Sequence, residues 1–322
     1  IFSYGQHGIF LELTYLIDYY MPNLKALLEA YPEVKKGLTF PDGGIYSLPT
    51  IYDPQFTSIT SNIKPYIRQD WLDALNMDVP ETTDEFYEYL KAVKETDLFD
   101  QDEDEAIPFG ATNMDFLYEY LKGSFGVGNK GKHHDMIDLD PETGTLRFFP
   151  MTEGYRELLT YMNKLYEEGL IDDEIYTIDE LDYQSRGASG LYGSTMTTNP
   201  ETRFGLKDVY VGLPALEGPD GHKSWNFINS PLANKGSFVI TNKNQNIAAT
   251  LRWLDYFYSD EGAEMFFMGI EGVTFERDAE GQPHFVDDLV YPDTGLPDLD
   301  KLKSYLTYIG GGYPGMIKQS YY

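Results

Sequence analysis

The chain has 322 residues, with 24 Lys and Arg against 53 Asp and Glu, for a formal net charge of −29. That field repels phosphate backbones and anionic lipid surfaces and so argues against nucleic acid as a partner; the absence of cysteine rules out disulfides, thiolate metal sites and cysteine nucleophiles. A mean hydropathy of −0.40, with no run near the ~18 apolar residues of a membrane span, leaves a globular protein long enough for two separate cores.

From the N-terminus, Leu13, Leu16, Ile17, Tyr20, Leu24, Leu27 and Leu28 recur at three and four, which predicts helix within 9–30, split at Pro22. Pro41-Asp42-Gly43-Gly44 is a turn leading into a short strand at 45–48. A second strand is expected over 65–69, then a helical turn at 70–75. Thr82 and Glu85 form a capping box, each side chain satisfying a backbone N–H of the other, and Phe86, Leu90 and Val93 fall on one face of the helix they start. Tyr155, Leu158, Leu159, Met162, Leu165 and Tyr166 predict a helix over 154–168, ended by Gly169. Strands at 210–213 and 237–241, and helices over 246–258 and from Asp260, complete the pattern. Trp253 falls within the apolar helix 246–258 and is expected in the core. Strands alternating with helices imply an α/β fold with mostly parallel sheets.

Seven segments carry a family resemblance in their order along the chain. They are Ser3-Tyr4-Gly5-Gln6, Gly44-Ile45-Tyr46-Ser47-Leu48-Pro49, Tyr66-Ile67-Arg68-Gln69-Asp70-Trp71, Leu165-Tyr166-Glu167-Glu168-Gly169-Leu170-Ile171-Asp172, Gly236-Ser237-Phe238-Val239-Ile240-Thr241, Arg252-Trp253-Leu254-Asp255-Tyr256-Phe257-Tyr258-Ser259 and Gly269-Ile270-Glu271-Gly272-Val273. Together they resemble extracellular solute-binding proteins of ABC importers, above all the lipoprotein-type sugar-binding proteins of Firmicutes, with the alginate- and maltose-binding proteins as cousins. The resemblance implies a periplasmic-binding-protein-like fold, two α/β lobes with a ligand cleft and a hinge crossed more than once. It places lobe 1 at 1–54 with a return segment at 237–322, and lobe 2 at 55–236. It also implies further family segments before residue 1, including a lipid-anchoring cysteine, and after residue 322. The function it implies is capture of a carbohydrate at the cell surface and delivery to a membrane permease, as a monomer, by lobe closure and without chemistry.

A sugar site needs flat apolar faces for C–H surfaces and planar polar groups for hydroxyls. Aromatic residues near the expected lobe crossings, among polar neighbours, are therefore the candidates: Tyr52 with Asp53, Tyr66 with Arg68, and Trp225 with Asn226 and Asn229. Trp71 reads equally as core or as ligand platform. Arg68 could bridge two hydroxyls or a carboxylate, or pair with Asp70 or Asp73; Arg186 and Arg203, on either side of a glycine loop at 187–193, are secondary candidates. The acidic run at 95–105 resembles a family Ca²⁺ loop in the alternation of its carboxylates, with Asp97, Asp100, Asp102, Asp104 and Glu105 as possible ligands. The loop lacks a turn glycine, and Leu98 and Phe99 stand at ligand positions, so a solvated acidic loop is the competing reading. No other cofactor is expected.

Catalytic patterns are weak. The five histidines have no metal-binding spacing, no Gly-x-Ser-x-Gly elbow occurs, and Gly123-Ser124-Phe125-Gly126-Val127-Gly128 is an imperfect glycine pattern with no strand before it. The chain thus reads as a non-enzyme; a glycosidase or lyase, and a two-lobed sensor for a signalling partner, are the alternatives.

Overall fold

The computed structural model describes residues 1–96, 98–99, 105–131, 134–292, 297–306 and 314–319. Contacts group the chain into two units, Ile1–Thr60 with Ser230–Tyr322, and Ser61–Asn229.

The first unit opens with α1 (Phe2–Gln6), α2 (Thr14–Tyr20), α3 (Pro22–Ala30) and α4 (Pro32–Leu38), followed by β1 (Leu48–Tyr52) and α5 (Thr57–Thr60). Pro22 and Pro32 each start a helix, where a missing N–H is one of the unpaired donors anyway. The other free amides at the start of α3 are met from far along the chain: the buried Asp255 carboxylate accepts from Asn23 N at 3.2 Å and Leu24 N at 3.0 Å. Leu13, Ile17, Met21, Leu24 and Leu28 line the core of this unit.

The first strand runs over Leu48–Tyr52 and not over the expected 45–48. It includes Pro49, and the pairing with the neighbouring strand shifts register between Leu48 and Thr50, where proline supplies no N–H to the ladder. Pro49 keeps its carbonyl in use by accepting the Tyr258 hydroxyl at 2.7 Å.

The second unit runs through β2 (Lys64–Arg68), α6 (Gln69–Leu75), α7 (Thr83–Glu95), β3 (Ile107–Gly110), α8 (Met114–Leu121), β4 (Ile137–Leu139), β5 (Leu146–Phe148), α9 (Glu153–Glu167), α10 (Glu180–Ala188), β6 (Tyr192–Thr197), α11 (Pro200–Phe204) and β7 (Tyr210–Gly212). The capping box forms as expected: Thr82 Oγ1 accepts from Glu85 N, and Glu85 Oε2 accepts from Thr82 N, both at 3.1 Å. Phe86, Tyr89, Leu90 and Val93 then enter the core of the unit. Gly169 follows α9 at φ +63°, as a C-terminal glycine should. The glycine pattern at 123–128 starts within a 3₁₀ turn (Lys122–Phe125). A Cβ on Gly123 would lie 1.8 Å from the Ser224 carbonyl oxygen, so glycine here serves close packing.

The first unit resumes with β8 (Leu232–Phe238), α12 (Ile247–Tyr256), α13 (Asp260–Met268), β9 (Phe275–Arg277), β10 (Pro283–Phe285), α14 (Leu299–Leu302) and β11 (Gly315–Ile317). The last expected strand, 237–241, is displaced toward the N-terminus, because β8 pairs along β1 through Leu232 and Asn234, residues with no β-branched signal of their own. Trp253 is not in the core. It is 58 % exposed, because the buried face of α12 carries Leu251, Leu254 and Asp255, and its ring rests on Phe257 at 5.6 Å.

The sheets are mixed, not mostly parallel. In order β11-β1-β8, β1 is parallel to β11 and antiparallel to β8; in order β3-β6-β2-β7, only β3 and β6 are parallel. A single helical crossover enforces parallel neighbours, but the chain between β2 and β6 makes several passes, and such an excursion sets no direction.

Candidate functional site

The alternation of β2 leaves Lys64, Tyr66 and Arg68 half-buried on one face and Pro65 and Ile67 buried on the other. The Tyr66 hydroxyl donates to the Thr198 carbonyl at 3.1 Å. Trp225 Nε1–H donates to Ser61 Oγ at 2.6 Å. Ser61, Lys64, Tyr66 and Trp225, with Leu213 and Ala215, line a pocket of about 230 Å³. Two of the expected stacking residues, Tyr66 and Trp225, therefore share one pocket. Burial pushes the Tyr66 phenol up and the Lys64 ammonium down.

The remaining candidates lie elsewhere. Arg68 pairs with Asp70 through Nε at 2.9 Å, and its guanidinium covers the Trp71 ring at 4.3 Å. Trp71 itself is 4 % exposed, so core packing is the reading its placement supports. Asn226 is buried, donating to the Val127 carbonyl at 2.8 Å and accepting from Ser224 Oγ at 3.0 Å. Asn229 donates to Asn62 Oδ1 at 3.2 Å. Tyr52 and Asp53 belong to the first unit, where their amides donate to the carbonyls of Pro231 at 2.8 Å and Ile317 at 2.9 Å.

Arg186 and Arg203 do not flank a glycine-rich loop, since Gly187 lies within α10 and Gly193 within β6. Gly187 is needed for packing: a Cβ there would stand 2.3 Å from the Phe204 ring. Arg203 pairs with Glu180. Arg186 pairs with Asp172 at 3.1 Å and with Glu174. Partial burial opposes the Arg186 charge, yet Asp172 and Glu174 overcome it and raise the guanidinium further. The three arginines are thus engaged by carboxylates and absent from the lining of the Tyr66–Trp225 pocket.

Of the Ca²⁺ candidates, Asp97, Asp100, Asp102 and Asp104 lie outside the described residues, and Glu105 is exposed. Leu98 and Phe99, which interrupt the acidic run, pack against the core of the second unit. Among the described residues no group of three or more His, Asp or Glu is placed to hold a metal.

A second concavity lies outside the residues expected from the sequence. A groove of about 830 Å³ runs between α8 and α9. One wall is a stripe on α9, Tyr155, Leu159, Met162, Asn163 and Tyr166; the other is the start of α8, with Asn113, Asp115, Phe116, Tyr118 and Glu119. Tyr176, 67 % exposed, closes one end with its ring 5.9 Å from Tyr166. The turn that bears Tyr176 is braced by Asp172, whose amide donates to the Phe109 carbonyl at 2.8 Å and whose carboxylate holds Arg186. Arg186 therefore steadies an aromatic wall of the groove. Burial, then the neighbouring Tyr155 and Glu119, push the Tyr118 phenol well above its ordinary range. Rings connect the groove to the smaller pocket: Phe116 lies 6.1 Å from Phe227, and Phe227 lies 6.0 Å from Trp225. Flat rings beside amides and carboxylates are what a pyranose or furanose surface requires.

No family model matches the chain. It is 33 % identical over 266 residues to the fructooligosaccharide ABC transporter substrate-binding protein FusA of Streptococcus pneumoniae serotype 4, covering 80 % of this chain and 48 % of that protein. It is 27 % identical over 284 residues to the polygalacturonan/rhamnogalacturonan-binding protein YtcQ of Bacillus subtilis strain 168, covering 84 % of this chain and 52 % of that one. A solved structure of an EF-hand mutant of S. pneumoniae FusA in complex with fructo-nystose superposes with a TM-score of 0.75 at 30 % identity, covering all of this chain and 65 % of that one. The chain thus spans about half the length of the curated relatives it matches. These relatives are named as binding proteins and not as enzymes, and no helix among the described residues is long and apolar enough to cross a membrane. In sequence and in fold, the chain is similar to the substrate-binding proteins of ABC transporters.

Proposed function

We propose that the protein captures an oligosaccharide outside the cell and hands it to the permease of an ABC transporter, without performing chemistry on it. The α8/α9 groove carries this reading, because its ring-and-amide lining suits a sugar chain of several units. The relationship to FusA, a fructooligosaccharide-binding protein, supports it. Tyr155, Tyr166, Tyr176 and Phe116 would face the C–H surfaces and Asn113 and Asn163 the hydroxyls, with Tyr66 and Trp225 as a second contact. The protein would be held to the cell surface by a lipid anchor.

Isothermal titration with an oligosaccharide panel tests the reading. Saturable 1:1 binding, with the sugar recovered intact, is the expected result. Shortened or unsaturated products would establish a glycosidase or lyase instead.

We also propose that the acidic run, Asp97 to Glu105, holds a structural Ca²⁺, since hard carboxylates suit that ion and the similar FusA structure is of an EF-hand mutant. A melting temperature that is the same in Ca²⁺ and in chelator would remove this proposal.

A further inference from the structure

The relatives are named for both neutral and acidic glycans. The charge of the groove bears directly on which of these this chain accepts. Three acids line it, Asp115, Glu119 and Asp135, and no lysine, arginine or histidine does among the described residues. Lys122 follows α8 with a side chain 1 % exposed; its Nζ lies 2.8 Å from Glu119 Oε2 and 5.3 Å from the Tyr118 ring centroid. Lys122 is enclosed behind Glu119 and occupied by it, so it offers no charge to a ligand. The arginines suited to an acidic sugar are held by carboxylates instead, Arg68 by Asp70, Arg186 by Asp172 and Glu174, and Arg203 by Glu180.

We infer that this groove selects uncharged glycans and rejects uronic acids by charge. The inference rests on the reading of the groove as the sugar site. Neutral hydroxyls donate to the exposed Asp115 and Asp135 carboxylates in charge-assisted hydrogen bonds. A ligand carboxylate in the same place meets the like charges of Asp115 and Asp135, with no lysine, arginine or histidine among the described residues lining the groove, inside a protein whose net charge is already −29.

The experiment uses a matched pair. The chain is titrated with neutral fructo-, malto- and galacto-oligosaccharides, and the tightest binder is compared with the same oligosaccharide oxidised at its primary hydroxyls to carboxylates. The oxidised form should bind at least ~10-fold more weakly at low salt. Because the cause is charge, the gap should narrow when NaCl rises from about 20 mM to about 0.5 M, where the Debye length falls several-fold. It should also narrow in the Asp115→Asn/Asp135→Asn variant. Equal or tighter binding of the oxidised sugar overturns the inference while leaving sugar capture intact. So does a gap that neither salt nor the double variant moves, since shape would then be the cause. Binding of no neutral or oxidised oligosaccharide overturns sugar capture at this groove and the inference with it.

Discussion

Trp225 Nε1–H donates a 2.6 Å hydrogen bond to Ser61 Oγ and so ties the closing segment of the second unit to its first residue. Ser61 Oγ also lies 3.5 Å from the Phe227 carbonyl, and Asn229 reaches back to Asn62 at 3.2 Å, so the chain's entry and exit are joined by side chains. Ser61→Ala leaves the indole N–H without its acceptor and should lower the stability of the unit by about 1 kcal/mol. Trp225→Phe should give a similar loss and, combined with Ser61→Ala, little more. Urea unfolding of the four proteins measures the coupling, and strictly additive losses would contradict the tie.

Tyr176 offers a cleaner probe of the groove, because a side chain 67 % exposed contributes little to the core. Tyr176→Ala should leave unfolding within about 0.5 kcal/mol of the parent. Sugar affinity should fall about tenfold, near 1.4 kcal/mol, as a stacking face is lost. Unchanged affinity in titration calorimetry would move the sugar away from this end of the groove.

The β4–β5 ribbon, which follows the groove residues Asp135 and Met136, is held from its inner face. Asp138, fully buried, accepts from Arg147 Nε at 2.7 Å and from Gly128 N at 2.9 Å. The Asp138 hydrogen bond is the main cause that raises the Arg147 guanidinium, against partial desolvation. Asp138→Ala strands a partly buried arginine and should lower stability by about 3 kcal/mol. Thermal or urea unfolding measures it; a loss under about 1 kcal/mol would mean water replaces the carboxylate readily.

The capping box of α7 carries a pH dependence of known sign. The Glu81 amide, then that of Thr82, holds the Glu85 carboxyl below its ordinary value of 4.5. A carboxyl depressed in the folded state stabilises above the unfolded value, and that stability is lost as pH falls through the folded one. The difference in stability between parent and Glu85→Gln should therefore be present at pH 7 and shrink below about pH 4.5. Thr82→Ala, which removes the other half of the box, should cost about 1 kcal/mol at pH 7. A Glu85→Gln difference that grows on acidification would reverse the assigned sign.

What the sequence by itself determined is what neighbours along the chain decide. Pro22 starts a helix because its ring suits the first helical position; Thr82 and Glu85 cap α7 because they stand three apart; Gly169 ends α9 because it tolerates positive φ. The ordered motifs pointed to the solute-binding proteins, and the relationship to FusA bears that out. Tyr66 and Trp225 were named from aromatic chemistry among polar neighbours, but only folding brought them to one pocket.

The groove was decided by tertiary structure. The apolar residues of α9 form one wide arc in sequence, yet packing divides them: Leu158 and Leu165 turn to the core, Met162 stands at the boundary and lines the groove, and Tyr155, Leu159 and Tyr166 are left for the groove. A helical period assigns residues to a face and says nothing of which neighbour covers it. Trp253, expected in the core, stands exposed for the same reason. Charges follow the same logic, since Arg186 meets Asp172, 14 positions earlier, only because α10 packs beside the turn that bears Tyr176. A guanidinium's availability to a ligand depends on distances that the folded chain alone sets.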